Sequence, residues 1–179
     1  MVVGPHPIQI TVYDTDGSTV KAGAKVYVRN VTKKSTSDEE TTNASGIANI
    51  DLANLDLIAG QSAEYDTGDK ILIIAYHGNN HDAAMYTVLG SSKSQTLYLN
   101  PVQHVKGLAT EKIVTLVAAN TSSTNYYAKV YNVNDGRLLL QVECLANTTV
   151  PIYLGGLSCG GGIAIERENK ALVVTVVIK

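Results

Sequence analysis

Two histidines and an aspartate lie close together in the sequence, and all three side-chain types can bind divalent metals. His77 and His81 are separated by Gly-Asn-Asn, and Asp82 follows directly. Imidazoles four residues apart face one metal ion cleanly only on a helix, whereas Gly-Asn-Asn is typical of a turn. The sequence therefore predicts a solvated hairpin loop, with His77, His81 and Asp82 as weak metal candidates and no metal site assigned.

A second acidic stretch resembles the start of a calcium-binding loop. Asp14 and Asp16 lie in Asp-Thr-Asp-Gly-Ser, but the later ligands of such a loop, including its closing bidentate glutamate, are missing. Asp and Gly in this arrangement are typical of a tight turn, which is our interpretation. Calcium binding at a sandwich end would need Asp66 and Asp69 to join Asp14 and Asp16.

Cys159 precedes a run of three glycines, where flexible backbone would expose a nucleophile. A catalytic thiolate needs a base and an orienting group, and no sequence signature links Cys159 to His104, the nearest upstream histidine. The run is no phosphate cradle, since no Lys-Ser/Thr and no helix follow it. We interpret Cys159, Gly160 and Gly161 as a bulge, a close backbone contact or a loop that reaches a partner. No catalytic residue is assigned.

Tyr126 and Tyr127 are consecutive in a predicted strand, so their rings point to opposite faces. One ring is expected in the core and the other at the surface or an interface, where tyrosine is favoured. Both residues are therefore interface candidates.

The elements that carry these residues are predicted to be strands throughout. Apolar and polar residues alternate with period two, and turn residues interrupt them every 8–12 residues or so. Residues 71–76 are apolar at every position, as expected of a central strand. No stretch has sustained helical periodicity, and residues 53–60 have room for one helical turn at most. The fold class is predicted to be all-β.

Two consecutive β-sandwich domains are predicted, residues 1–100 and 101–179. Asn100-Pro101 marks the boundary, because proline lacks the donor that a continuing strand would need, and the strand pattern restarts after it. The segment 170–179 is β-branched and nearly uncharged between its end lysines. As an open edge it would promote aggregation, so it lies inside a sheet or another subunit covers it.

Composition argues against several functions. The net charge is −2 and the cations are scattered, whereas nucleic-acid binding needs clustered positive charge. No segment is apolar over the roughly 20 residues of a membrane span, and no signal peptide is recognised. The two cysteines are expected to be free thiols made in a reducing cytoplasm. All ten aromatic residues are tyrosines, which weakens a carbohydrate-binding interpretation without excluding it.

Residues 7–99 resemble the carboxypeptidase-regulatory-like or prealbumin-like family of immunoglobulin-type sandwiches. The similarity lies in Thr-Val-Lys-Ala-Gly-Ala-Lys-Val-Tyr-Val at 19–28, Thr-Thr-Asn-Ala-Ser-Gly-Ile-Ala at 41–48 and Gly-Asp-Lys-Ile at 68–71. The resemblance implies an immunoglobulin-like first domain that serves as a stalk, spacer or binding platform.

The second half resembles small β-sandwich domains of bacteriophage virion proteins. The matching segments are Ala-Ala-Asn-Thr-Ser at 118–122, Tyr-Ala-Lys-Val-Tyr at 127–131 and Gly-Leu-Ser-Cys-Gly-Gly-Gly-Ile-Ala-Ile at 156–165. This resemblance implies a virion accessory protein, a capsid decoration or head fibre, assembled in the host cytoplasm. Its partners would be the major capsid protein, another virion protein or further copies of itself, with residues 101–179 docking or oligomerising.

Two alternatives remain open from the sequence. One is a neck or tail accessory protein, and the other is a host-surface adhesion or glycan-binding module. An enzyme is not predicted, because no acid/base pair, triad or metal signature stands out. No cofactor is expected, and neither nucleic acid nor membrane is an expected partner.

Overall fold

The computed structural model describes residues 4–56, 64–99, 112–133, 136–158 and 163–178. These residues form fourteen strands and one short 3-10 helix, Leu52–Asn54. The strands of the first half are β1 (Pro7–Tyr13), β2 (Lys25–Asn30), β3 (Ser35–Thr36), β4 (Glu40–Thr41), β5 (Ile47–Asp51), β6 (Lys70–His77), β7 (Asn80–Thr87) and β8 (Lys93–Tyr98). Those of the second half are β9 (Lys112–Asn120), β10 (Tyr126–Asn132), β11 (Leu138–Cys144), β12 (Thr148–Ser158), β13 (Ile163–Arg167) and β14 (Leu172–Ile178).

The strands form two β-sandwiches that share one sheet. An eight-stranded sheet has the order β11-β10-β13-β7-β6-β2-β3, with β4 also paired to β2. A three-stranded sheet, β5-β1-β8, completes the first sandwich, and another, β12-β9-β14, completes the second. The predicted fold class is confirmed in that the described residues are all-β and form β-sandwiches.

Alternation along the strands builds the two main cores. In β1, Ile8, Ile10 and Val12 are buried while the residues between them are exposed or half-buried. They pack with Val26 and Ile73 of the shared sheet in the first core. The second core is built in the same way from alternate residues of its own strands, among them Leu116, Val130, Ile165 and Val174.

A third core joins the two halves. It lies around β6, which is buried on both faces as predicted. Ile71 and Ile73 face the first core, whereas Leu72 and Ile74 pack with Ala83 of β7 and with Tyr131 and Ala164 of the second half. The second face of β6 is thus covered by the other sandwich.

The halves also meet through the backbone. Strand β13 pairs with β7 in parallel, with Glu166 opposite Ala83. The tip of the β10–β11 hairpin lies against the first sandwich, because a Cβ atom on Gly136 would be only 2.3 Å from Val31 Cγ1. The predicted boundary at residues 100–101 lies outside the described residues.

The predicted loop at residues 77–82 is wrong in its extent. Only Gly78 and Asn79 form the turn, and β7 begins at Asn80. His81 and Asp82 are buried strand residues, because β7 lies between β6 and β13. Among the described residues, no helix is long and apolar enough to cross a bilayer.

Candidate interaction surfaces and the junction between the sandwiches

A buried ion pair lies where the sandwiches meet. Asp82 comes from β7 and Arg167 from the end of β13, and Arg167 Nε is 3.5 Å from Asp82 Oδ1. The side chains are 4% exposed for Arg167 and 7% for Asp82. Asp82 Oδ1 accepts no aligned hydrogen bond, so the contact with Arg167 is an ion pair. A pair this deeply buried requires further hydrogen bonds to offset its desolvation.

Those hydrogen bonds link all three sheets. Arg167 Nη1 donates to the carbonyl of Leu172 in β14, 3.0 Å away, and Nη2 donates to the carbonyl of Tyr98 in β8. Asp82 Oδ2 accepts from the backbone N–H of Tyr98 at 2.8 Å. One side-chain pair from the shared sheet therefore ties down an edge strand of each outer sheet.

The electrostatics of Asp82 reflect this position. Burial raises the pKa of its carboxyl to about 6, while the Arg167 charge and the N–H donors of Tyr98 and Ala83 oppose the rise. The pair lies at the floor of a cleft of about 510 Å³, between β8 and the turn that follows β13. Arg167 and the backbone N–H of Tyr98 contact the carboxylate, so the arrangement holds strands of three sheets together.

The outward side of sheet β5-β1-β8, here called the polar outer face, is hydrophilic. Residues on this side alternate with the buried ones of the first core. They are Pro7, Gln9, Thr11, Tyr13, Ile47, Asn49, Asp51, Ser94, Thr96 and Tyr98, and of these Asp51 is charged. The rings of Tyr13 and Tyr98 stack with their centroids 5.3 Å apart. Amides and hydroxyls dominate this face, as is usual for a sheet face in water.

The outward side of sheet β12-β9-β14, here called the apolar outer face, differs sharply. Its registers place residues that alternate with the second core side by side, and those described are Val117, Ala119, Thr149, Pro151, Tyr153, Val173 and Thr175. None is charged, and Tyr153 is 80% exposed. Leu145, three residues before β12 begins, is also exposed. Contiguous exposed apolar groups mark interaction sites on soluble proteins.

The predicted metal candidates do not form a metal site in the described residues. His77 is exposed at the end of β6, whereas His81 and Asp82 are buried. The described part of the chain holds no group of three or more His, Cys, Asp or Glu able to bind a metal ion.

The acidic turn residues are accounted for by local contacts. Asp14 Oδ2 is 2.8 Å from Lys21 Nζ, and Asp16 accepts hydrogen bonds from Ser18 and Thr19. Asp69 Oδ2 accepts instead from Asn30 Nδ2, at 2.8 Å, inside the sandwich. Turn contacts therefore engage Asp14 and Asp16, and a long-range hydrogen bond engages Asp69.

Of the predicted interface residues, Tyr126 and Tyr127 can be placed. Tyr126 packs against the second core and Tyr127 is 37% exposed, so the rings do lie on opposite faces. Their role at an interface stays a prediction. Cys159, Gly160 and Gly161 lie outside the described residues. The other cysteine, Cys144, is buried and has a free thiol.

Sequence reasoning missed two features. The polar run Arg-Glu-Asn-Lys at 167–170 follows an apolar strand and is typical of a turn, and nothing local pairs Arg167 with Asp82. Sequence reasoning also missed the apolar outer face, although its signal is visible in β12. There Val150 and Ile152 alternate with Pro151 and Tyr153, so both faces of the strand carry apolar groups.

No protein-family model matches the chain, and neither does any curated protein sequence. Among solved structures, the chain is similar to the Bacillus anthracis TIE protein, at 14% identity and a TM-score of 0.38, over 84% of this chain and 26% of that one. It is also similar to the shaft pilin spaA from Lactobacillus rhamnosus GG, at 13% identity and a TM-score of 0.38, over 96% of this chain and 82% of the pilin. The chain spans about a quarter of the TIE protein. Likeness this distant carries no information on function.

Proposed function

We propose that this protein is a non-enzymatic structural component of a phage particle, an accessory protein that decorates the capsid. The observation that carries the proposal is the apolar outer face on the second sandwich. In this arrangement the second sandwich docks through that face onto the coat protein, and the first projects outward as a spacer.

The contrast between the two outer faces supports this polarity. The polar outer face presents mostly amides and hydroxyls, whereas the apolar outer face presents Val117, Pro151, Tyr153 and Val173. Burying apolar surface stabilises association by roughly 25 cal/mol per Å² before the costs of binding are subtracted. The apolar outer face therefore gains more on docking.

The junction supports a spacer role. A shared sheet, the third core and the Asp82–Arg167 pair connect the sandwiches through backbone, apolar and ionic contacts. A connection of this kind resists bending far better than a flexible linker. A rigid body is what a protein needs if it is to hold one end at a fixed distance from a lattice.

Immunogold electron microscopy locates the protein. Particles from a lysate of the producing cells are labelled with an antibody raised against this chain. Many gold grains on each head are expected. Label confined to necks or tails would replace decoration by the neck or tail alternative. Label confined to cell envelopes, with none on particles, would overturn the virion proposal.

Reconstitution identifies the docking face. Tyr153→Asp introduces a charge into the apolar outer face. In co-sedimentation with particles that lack this protein, the variant is expected to bind at a tenth or less of the native number of copies per particle. Thr11→Asp, on the polar outer face, is the matched control and is expected to bind as the unmodified chain does. The reverse outcome would make the first sandwich the docking domain.

A further inference from the structure

A groove of about 870 Å³ runs between the two sandwiches, away from both outer faces. The first sandwich contributes Val31, Lys70 and Met85 to its lining, and the second contributes Lys129, Tyr131 and Arg137. Val31 and Tyr131 also belong to the third core. The groove is thus built by the junction itself, at the kind of position where proteins often bind ligands.

Its charge is unusual for this protein. Lys70, Lys129 and Arg137 line it, and the described lining residues include no carboxylate. The chain as a whole has a net charge of −2. Three cations are therefore concentrated in one groove of a slightly acidic protein.

The two lysines are weakly neutralised. Elsewhere in the first half, Lys21 and Lys33 lie 2.8 and 2.7 Å from Asp14 and Asp66, whereas within the described ranges no carboxylate forms an ion pair with Lys70. The ammonium of Lys129 is 3.7 Å from Glu166 Oε2.

The Glu166 carboxylate is already engaged, because its Oε2 accepts a hydrogen bond from the Tyr131 hydroxyl at 2.7 Å. The Lys129 ammonium thus shares its carboxylate with the Tyr131 hydroxyl, and of the two lysines Lys70 is the less neutralised within the described ranges.

Apolar groups line the same groove as these cations. Met85 is half-buried and Leu138 is 46% exposed, and both line the groove. A simple inorganic anion would leave these surfaces uncovered. A nucleic acid would present a continuous row of phosphates, for which affinity depends on more clustered cations. Alternating acidic and apolar side chains match the lining better.

We propose that this groove binds an acidic, extended segment of a partner polypeptide. Carboxylates of the segment pair with Lys70 and Lys129, and apolar side chains between them contact Met85 and Leu138. Opposite charges at such an interface provide specificity and fast association more than raw affinity. The site is separate from the apolar outer face, so it does not depend on capsid docking.

Fluorescence anisotropy with the full chain tests the proposal. The probe is a fluorescein-labelled peptide of four Glu-Leu repeats, and the control peptide has Lys in place of Glu. Saturable binding of the Glu-Leu peptide is expected, weakening as NaCl is raised because the pairs are partly exposed. Absence of saturable binding, or equal binding of the Lys-Leu peptide, would overturn the proposal.

Variants of the two lysines locate the site. Lys70→Glu is expected to weaken binding at least tenfold without shifting the midpoint of urea unfolding. Lys129→Met is expected to weaken binding as well, with a loss of unfolding free energy below about 1 kcal/mol because its pair with Glu166 is partly exposed. Lys170→Glu is the matched control, because Lys170 is exposed and lies by the cleft at the other side of the junction. It is expected to change binding less than twofold.

Two further outcomes would overturn the proposal. One is an equal loss of binding in Lys170→Glu, which would mean non-specific attraction. The other is displacement of the peptide by a single-stranded oligonucleotide or by phosphatidylserine vesicles at lower concentration than by unlabelled peptide. The groove would then belong to a nucleic acid or a lipid surface.

Discussion

The two sandwiches differ in how completely they bury their apolar side chains. In the first, alternate residues such as Ile8, Ile10 and Ile73 are fully buried. In the second, Leu140 and Val142 of the edge strand β11 only partly reach the core. The same alternation thus produces a closed sandwich in one half and a partly open one in the other. Exposed apolar surface has a cost in water, so the open half is the one expected to have a partner.

The two sandwiches contribute strands to one shared sheet, so each sandwich is part of the other's surroundings. Strand β7 has Asp82 and Ala84 on one side of the sheet and Ala83 in the third core on the other. The largest expected effects therefore come from residues at the junction.

Replacing Arg167 removes its ion pair with Asp82 and its hydrogen bonds to β8 and β14. Arg167→Met is expected to lower the free energy of unfolding by about 3–5 kcal/mol, since the Asp82 carboxylate stays buried without its cation. Urea denaturation measures the loss. Hydrogen exchange shows whether the amides of β8 and β14, which Arg167 contacts, lose protection together.

Lys129→Met is the control for Arg167→Met. In the native chain the Lys129 side chain is 37% exposed, and its ammonium is 3.7 Å from Glu166 Oε2. Partly exposed ion pairs of this kind contribute less than about 1 kcal/mol to the free energy of unfolding. Equal losses in the two variants would mean that the junction depends on apolar contacts alone, and the ion pair would have no special role.

Truncating one apolar residue in each sandwich measures the difference in closure directly. Ile73→Ala is expected to lower the free energy of unfolding by about 2–5 kcal/mol, because it leaves a cavity among fully buried neighbours. Leu140→Ala is expected to cost less than half as much, since its side chain keeps contact with water in the native state. Chemical denaturation of both variants is the measurement. Equal costs would show that the second sandwich is as closed as the first.

Much of this closure could be predicted from the sequence. Period-two alternation in residues 8–12 predicts which side chains of β1 are buried, since successive strand residues point to opposite faces. The fully apolar run of β6 also predicts that both of its faces are covered. Alternation does not say what covers them, and only the structure shows that Tyr131 and Ala164 do so for Leu72 and Ile74.

The junction could not be predicted for a related reason. Parallel pairing of β13 with β7 joins segments far apart in the chain, and no local turn sets that register. Asp82 looks like a hairpin residue and Arg167 like a turn residue until the two strands are placed side by side. An aspartate and an arginine are usually expected at the surface, whereas the pairing of their strands buries these two side chains together.

The stability of the junction is expected to depend on pH, because Asp82 belongs to it. Its carboxyl has a pKa near 6 in the folded protein, above the ordinary value of about 3.9 in an unfolded chain. The folded state therefore binds the proton more tightly. The stabilisation by this group is fully present below about pH 4 and is lost as pH rises through about 6.

Comparison with Asp82→Asn isolates that contribution. The difference in unfolding free energy between the native chain and the variant is expected to shift by about 1–3 kcal/mol between pH 7.5 and pH 4, in favour of the native chain at the lower pH. The pKa of Asp14 is lowered by its bond with Lys21, so that carboxylate acts in the opposite direction, but equally in both proteins. A pH-independent difference would mean that Asp82 stays ionised throughout.

The smallest effects on stability are expected at the outer faces, where the difference between the sandwiches concerns binding and not folding. Tyr153→Ser and Thr96→Ser are each expected to change the free energy of unfolding by less than about 0.5 kcal/mol, because neither side chain packs into a core. Hydrophobic interaction chromatography is expected to separate them. Tyr153→Ser should elute earlier than the native chain, since it removes an exposed ring, and Thr96→Ser should coelute with it. If both variants coelute with the native chain, the apolar outer face is not presented to solvent in the intact protein. The second sandwich would then not expose more apolar surface than the first.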